Sequence, residues 1–205
     1  MKAIFVFLIL ISCEFNLFAQ EIQTGFTDAE YKFISNILTV SKDSTLVIKN
    51  PTIPTRIVEK DFDGSRDIGG IRLISKSYLT KAFPNLSDEI IDDFNSKNDK
   101  AYELQKKITI SGKYEFVSET EMSKIFYESK DADDFQAEIN NFRKKFPNSF
   151  GFIQFSRIGF NKQKTQAIIY ETNWCGSVCG EGKYVFYIKQ NEKWVKNNEL
   201  PLWVS

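Results

Sequence analysis

The sequence contains no histidine, few cysteines and no excess of either charge. Histidine is the side chain that ordinarily titrates near neutral pH, and it is the most common metal ligand. Its absence excludes Ser-His-Asp and Cys-His catalysis, together with every zinc site that requires histidine. The 27 basic residues are balanced by 27 acidic residues, so the chain lacks the positive field that binds a phosphate backbone. We therefore expect no metal site and no nucleic-acid partner.

Long apolar runs are also absent, with one exception near the N-terminus. Residues 3–11 form an apolar run after Lys2, which is typical of an export signal and too short to span a bilayer. Ala19 provides the small residue that signal peptidase requires, which predicts a signal peptide over residues 1–19. Alternatively, Cys13 ends a sequence that resembles a lipoprotein box, and its lipidation would anchor the protein to a membrane. The apolar residues after Cys13 favour cleavage after Ala19, because a polar tether ordinarily follows a lipidated cysteine.

Both processing routes predict an exported protein, in the periplasm or outside the cell, without a transmembrane span. Both also leave Cys175 and Cys179 as an even pair in an oxidising compartment. The glycines around them suit a tight loop, and we predict a disulfide that closes a small ring at a hairpin tip. A redox-active pair is an alternative, although the spacing is one residue longer than the usual redox motif. A metal site is a third, but two further ligands are lacking.

The remaining chain, residues 20–205, is predicted to form a single α+β domain. Its length suits one hydrophobic core. A capping-box spacing predicts the start of a helix at Thr27 and Glu30, and Ser118 and Glu121 repeat that spacing. The apolar residues that follow each box recur every three or four positions, as on one face of a helix.

Strands are predicted from β-prone runs between turn residues. Residues 108–110 and 114–117 flank a turn and predict a hairpin. From Gly151 onward, β-prone segments alternate with short polar connections, which predicts an antiparallel meander. We therefore expect several helices packed on one face of a C-terminal antiparallel sheet. Residues 61–70, with three Asp and three Gly, predict a flexible surface loop; its spacing is partly calcium-like, but Arg72 occupies the position of the bidentate Glu.

Three side chains are candidates for a surface or ligand-binding patch. Arg157 lies in a predicted strand, where it could hold an anion on the open face of the sheet; the alternative is an ordinary ion pair. Trp174 and Tyr184 flank the cysteine loop. Both are expected to be exposed, and they would form an aromatic patch beside the rigid loop.

The C-terminal third carries a pattern of motifs that is similar to a known family. The motifs are Ser156-Arg157-Ile158-Gly159-Phe160-Asn161, Cys175-Gly176, Cys179-Gly180-Glu181-Gly182, Lys193-Trp194 and Trp203-Val204-Ser205. Together they resemble a family of exported bacterial proteins, of the Bacteroidota type, to which no activity is assigned. The resemblance covers residues 119–205 and implies an envelope location, but it implies no catalytic residues.

No catalytic constellation is recognisable in the sequence. The leading hypothesis is therefore a non-catalytic binding or interaction module of the cell envelope, without a cofactor, whose partner is an envelope ligand or protein. The alternative is a small envelope enzyme. It would be either a carboxylate-dependent hydrolase, for which the sequence identifies no pair of acids, or a thiol-disulfide protein that uses Cys175 and Cys179.

Overall fold

The computed structural model describes residues 25–127, 135–176 and 178–205. The predicted signal peptide, residues 1–19, lies outside the described residues, as does Cys13. The helices are α1 Asp28–Ile37, α2 Lys76–Ala82, α3 Asp88–Lys97, α4 Glu119–Tyr127 and α5 Phe135–Lys145. The strands are β1 Thr45–Asn50, β2 Thr55–Val58, β3 Ser65–Ile68, β4 Ile71–Ser75, β5 Lys113–Ser118, β6 Phe152–Phe155, β7 Gly159–Phe160, β8 Gln166–Gly176, β9 Cys179–Gln190 and β10 Lys193–Val204. Within these described ranges, no helix has the length and apolar character needed to cross a membrane.

A seven-stranded mixed sheet organises the fold. Its strand order is β10-β9-β8-β6-β1-β5, and β7 pairs with β8 beside this path. The late strands β8, β9 and β10 form the antiparallel meander that the sequence predicts. The sheet then continues through β6 to β1 and β5, which pair in parallel. Parallel neighbours require long crossovers, and α2 and α3 lie in the crossover from β1 to β5.

Both faces of this sheet are covered by helices. Ala167 and Ile169 of β8 pack with α1 on one face, which we call the α1 face. The intervening residues Ile168 and Tyr170 pack with α2 and α3 on the opposite face, because side chains alternate along a strand. Helices α4 and α5 cover that same opposite face around Val47 of β1. The α+β class is confirmed; four of these five helices share one face, and α1 lies alone on the other.

Helix α1 begins where its capping box predicts. The Thr27 hydroxyl accepts from the Glu30 amide at 3.2 Å, and the Glu30 carboxylate accepts from the Thr27 amide at 2.8 Å. Its apolar stripe then enters the core. The Phe33 ring makes edge contacts with the rings of Phe160, Tyr187 and Trp194 at centroid distances of 5.0–5.6 Å.

The predicted hairpin over residues 108–117 is wrong. Residues 108–110 form no strand, and the Thr109 amide donates instead to the Ser35 hydroxyl of α1 at 2.9 Å. Ile108 is buried in the core on the α1 face. Strand β5 pairs with β1 instead, and the segment before it is held along α1.

The predicted loop over residues 61–70 contains a strand. Strand β3 pairs antiparallel with β4, and β4 pairs parallel with β2, which makes a second sheet of three strands. Gly69 and Gly70 form the two-residue turn between β3 and β4, with φ values of +60° and +79°. Two consecutive residues with positive φ match the tight hairpin turn that favours glycine.

Candidate functional site

A cavity of about 250 Å³ lies between the C-terminal half of α1 and the sheet. We call it the inner pocket. Its apolar lining consists of Ile34, Ile37, Leu38, Ile153, Phe155 and Ile169. Its polar lining includes Glu171, Asn173, Glu181, Lys183 and Tyr187. The pocket thus combines an aliphatic wall with several charged groups, a combination typical of small-molecule sites.

The register of β8 and β9 brings the charged groups together. Glu171 lies directly opposite Lys183, and Asn173 lies opposite Glu181. All four residues point to the α1 face, because they continue the alternation that begins with Ala167 and Ile169. Further from the hairpin tip this face is apolar and packs against α1. Closer to the tip the same face becomes polar, and the pocket opens there.

Lys183 is surrounded by carboxylates. Its Nζ donates to the Glu181 Oε1 at 2.7 Å, and the Glu199 Oε2 of β10 lies 3.6 Å away. The Glu171 Oε1 is the most distant of the three, at 4.0 Å from the same Nζ. Glu171 therefore has only a long ionic contact with Lys183, whereas Glu181 holds the lysine in a short charge-assisted hydrogen bond.

The surroundings in the pocket shift the pKa values of Glu171 and Lys183. Burial raises the pKa of the Glu171 carboxyl, and the charge of Lys183 only partly opposes this effect. Burial alone would lower the pKa of Lys183, but the hydrogen bond to Glu181 and the charges of Glu171 and Glu199 outweigh it and raise that pKa. Lys183 is therefore held as an ammonium, which is unsuitable for Schiff-base chemistry.

An ion pair between Glu30 and Arg157 fixes the helical wall of the pocket. The Arg157 Nε and Nη2 donate to the Glu30 carboxylate at 3.0 and 2.8 Å. The guanidinium also lies over the rings of Phe26 and Tyr102, at 5.6 and 4.7 Å from their centroids. Since Glu30 belongs to the first turn of α1, the pair holds that helix against the sheet, and Ile34 follows one turn later in the pocket wall.

A second cavity of about 400 Å³ adjoins the inner pocket. We call it the outer groove. It shares Thr39, Ile153 and Asn173 with the inner pocket, so the two lie side by side. The outer groove extends to Cys175 and to Phe150, whose side chain is 87% exposed. Its far end therefore lies beside the β8–β9 hairpin tip.

The predicted disulfide between Cys175 and Cys179 is present. The two cysteines flank the turn between β8 and β9, where the register shifts between Trp174 and Gly176. A covalent link at this point restricts slippage of the hairpin. The disulfide thereby supports the register that places Glu171 opposite Lys183.

The predicted surface patch is wrong for two of its three residues. Tyr184 is fully buried on the face opposite the pocket, among the residues that pack with α2 and α3. Arg157 is 2% exposed and forms the ion pair with Glu30, so the alternative interpretation of this residue is the correct one. Trp174 is partly buried, and its ring packs against Phe126, Phe142 and Phe152 at centroid distances of 4.9–5.4 Å.

The pocket residues Glu171, Asn173, Glu181 and Lys183 were not predicted from the sequence. A signal for them exists. Along one face of β8, the order Ala167, Ile169, Glu171, Asn173 changes from apolar to polar, although the strand remains long and β-prone. A charged residue on a buried strand face indicates either an ion pair or a site.

The described residues contain no group of three His, Cys, Asp or Glu side chains placed as metal ligands. The inner pocket instead offers two carboxylates, one ammonium and an amide in an apolar surround. Such groups bind polar ligands by charge-assisted hydrogen bonds. Comparison of the chain with protein families, curated proteins and solved structures finds no match.

Proposed function

We propose that the protein is a non-catalytic binding module of the cell envelope that holds a small, partly apolar ligand in the inner pocket. The observation that carries the proposal is the cavity of about 250 Å³ between α1 and the sheet. Its aliphatic wall favours an apolar ligand body, and its few polar groups favour a defined orientation. The export signal predicted over residues 1–19 supports the envelope location, and the C-terminal resemblance is consistent with it.

The frame around the pocket supports binding by a preformed site. The Glu30–Arg157 ion pair holds α1, and the disulfide holds the hairpin that carries Glu171 and Lys183. A ligand that enters such a site does not have to order these elements, so less of its binding energy is lost.

In the test, 1-hexanol is titrated into the isotope-labelled protein as a small apolar probe. The chemical shifts of the backbone amides are followed by NMR. We expect shift changes at Ile169 and Glu171, which line the inner pocket and not the outer groove. Ile37→Phe fills the pocket and should abolish them. Ile68→Phe is the matched control, because Ile68 is exposed on β3 and lines neither the inner pocket nor the outer groove. Binding that survives in Ile37→Phe would overturn the proposal.

A second function, a carboxylate-dependent hydrolase, is favoured by one specific observation. Glu171 has a raised pKa and shares the pocket with a second carboxylate, Glu181. A carboxyl with a raised pKa beside a second carboxyl group is the arrangement of a general acid and its partner. However, Lys183 contacts both carboxylates, which favours binding over acid catalysis.

The hydrolase is tested separately with a panel of p-nitrophenyl glycosides and esters. Release of p-nitrophenol that disappears in Glu171→Gln, but not in Glu199→Gln, would support it. Glu199 contacts the same lysine from outside the pocket, so it is the matched control for loss of a nearby carboxylate.

A further inference from the structure

We infer that the inner pocket selects a ligand that carries a protonated primary amine on a short aliphatic chain. This inference rests on the proposed function, because it names the chemistry of the ligand that the pocket would hold. It is drawn from three features of the pocket: a carboxylate that makes no hydrogen bond within the described part of the chain, a surplus of negative charge and an aliphatic wall.

Glu171 is the carboxylate without a close partner. It makes no hydrogen bond within the described part of the chain, and its nearest cation is Lys183, whose Nζ lies 4.0 Å from Oε1. The Glu171 side chain is 30% exposed, and it lines the pocket. A carboxylate in a largely apolar cavity is costly unless a donor satisfies it. A ligand donor placed in the pocket would meet this requirement.

The charge balance of the pocket favours a cationic donor. Glu171 and Glu181 line the pocket, against the single cation Lys183. Lys183 is already bound to Glu181 at 2.7 Å, and Glu199 lies 3.6 Å away on its other side. It therefore has little positive charge left to offer an anionic ligand. The complementary ligand group is an ammonium, which provides three donors in a compact charge.

The shape of the pocket favours an aliphatic chain behind that ammonium. The wall is formed by aliphatic residues of α1 and of the sheet, including Ile34, Ile37 and Ile169, together with Phe155. At the ~30 Å³ that a water molecule takes in the liquid, the cavity has room for about eight non-hydrogen atoms. A chain of about six carbons with a terminal amine fits this volume. Longer chains would continue into the outer groove towards Phe150.

The experiment compares three probes of equal chain length: hexylamine, 1-hexanol and hexanoate. Dissociation constants are measured at neutral pH by backbone amide shifts. Since a hydrogen bond between charged groups is worth roughly a factor of ten or more, we expect hexylamine to bind about tenfold more tightly than 1-hexanol. Hexanoate should bind more weakly than either, because its carboxylate meets Glu171 and Glu181.

Two variants locate the effect. Glu171→Gln removes the negative charge with little change of shape, and hexylamine should then bind no more tightly than 1-hexanol. Glu199→Gln removes a carboxylate that neighbours Lys183 but does not line the pocket. The preference for hexylamine should therefore remain. The comparison of the three probes on the unaltered protein tests the inference even where a variant does not fold.

The outcomes distinguish a failure of amine selectivity from a failure of the proposed binding function. Equal binding of the three probes in the pocket would overturn amine selectivity and leave the binding module standing. Tighter binding of hexanoate would overturn the inference in the same way. If neither 1-hexanol nor hexylamine shifts the amides of the pocket, the binding function is overturned and the inference with it.

Discussion

Glu30 and Arg157 form a buried bidentate ion pair between residues that are 127 positions apart in the chain. The same carboxylate completes the capping box of α1 and also accepts from the Ile158 amide at 3.3 Å. One side chain thus starts the helix and attaches it to the sheet. Because α1 forms a wall of the inner pocket, this contact links local helix formation to the candidate site.

The first prediction concerns removal of one partner of this pair. Glu30→Gln leaves the guanidinium of Arg157 buried without its counter-ion. Loss of one partner of a buried pair ordinarily costs about 3–5 kcal/mol, and we expect a loss of that size in the free energy of unfolding. Urea denaturation followed by circular dichroism measures it.

The matched control is Asp28→Asn in the same helix turn. Asp28 is exposed and its contact with Lys107 is long, at 3.5 Å, so stability should change little. If both variants lose the same small amount, the Glu30–Arg157 pair does not hold α1 against the sheet.

Much of this part of the fold was predictable from the sequence, and the ion pair was not. The capping box at Thr27 and Glu30 is a local signal, and the helix begins there. The alternation after Gly151 is local as well, and it correctly predicts the antiparallel strands β8 to β10. The partner of Arg157 depends instead on the placement of α1 over the sheet. That placement is set by packing across the whole chain.

The inner pocket was unpredictable for a related reason. Whether Glu171 points to solvent or to α1 depends on which face of β8 the helix covers, and the sequence pattern predicted helices on one face only. The second sheet does have a local signal in the sequence. The pair Gly69 and Gly70 is typical of a two-residue hairpin turn, and it would have revealed strands β3 and β4 within the predicted loop.

The second prediction concerns the pH dependence of stability. The pKa of Glu171 is raised above its ordinary value of 4.5, so the folded protein keeps this proton at pH values where the unfolded chain has lost it. The stabilisation is complete below the unfolded pKa and is lost as pH rises through the folded pKa. As pH rises above the unfolded pKa, Glu171→Gln should therefore gain stability relative to the unaltered protein until the folded pKa of Glu171 is passed.

Glu199 provides a control of opposite sign. The hydrogen bond from Lys196 lowers the pKa of Glu199, so its stabilisation is present above the unfolded pKa and is lost as pH falls through the folded pKa. Glu199→Gln should lose stability relative to the unaltered protein as pH rises. Urea denaturation at several pH values measures both differences. A constant difference for Glu171→Gln would mean that its carboxyl is not desolvated.

The third prediction concerns the disulfide. In the chain from Gln20 onward, Cys175 and Cys179 should resist alkylation until a reductant is added, which intact mass measures. The double variant Cys175→Ala/Cys179→Ala should lose about 2 kcal/mol, because a ring of five residues restricts the unfolded chain only modestly. The hairpin should remain, since β8 and β9 pair along their length. Rapid alkylation without reductant would instead support the thiol-disulfide alternative.

The fourth prediction concerns the close approach of two chain segments at the outer groove. Gly151 has a φ of +156°, and a side chain there would collide with the carbonyl oxygen of Trp174 and the Cα of Cys175. The Ser149 hydroxyl bonds to both the amide and the carbonyl of Gly151, so the backbone cannot easily move away. Gly151→Ala should therefore cost about 1–3 kcal/mol, as overpacking ordinarily does.

Gly25→Ala is the matched control for this substitution. An added Cβ at Gly25 meets no atom within 4 Å, so the stability of the Gly25→Ala variant should be nearly unchanged. Gly151→Ala should also separate β6 from the hairpin tip, so amide shifts should change at Phe152 and Cys175 in the outer groove. Equal stability of the two variants would show that residue 151 does not press against the disulfide-bearing strand. The close contact would then play no part in shaping the outer groove.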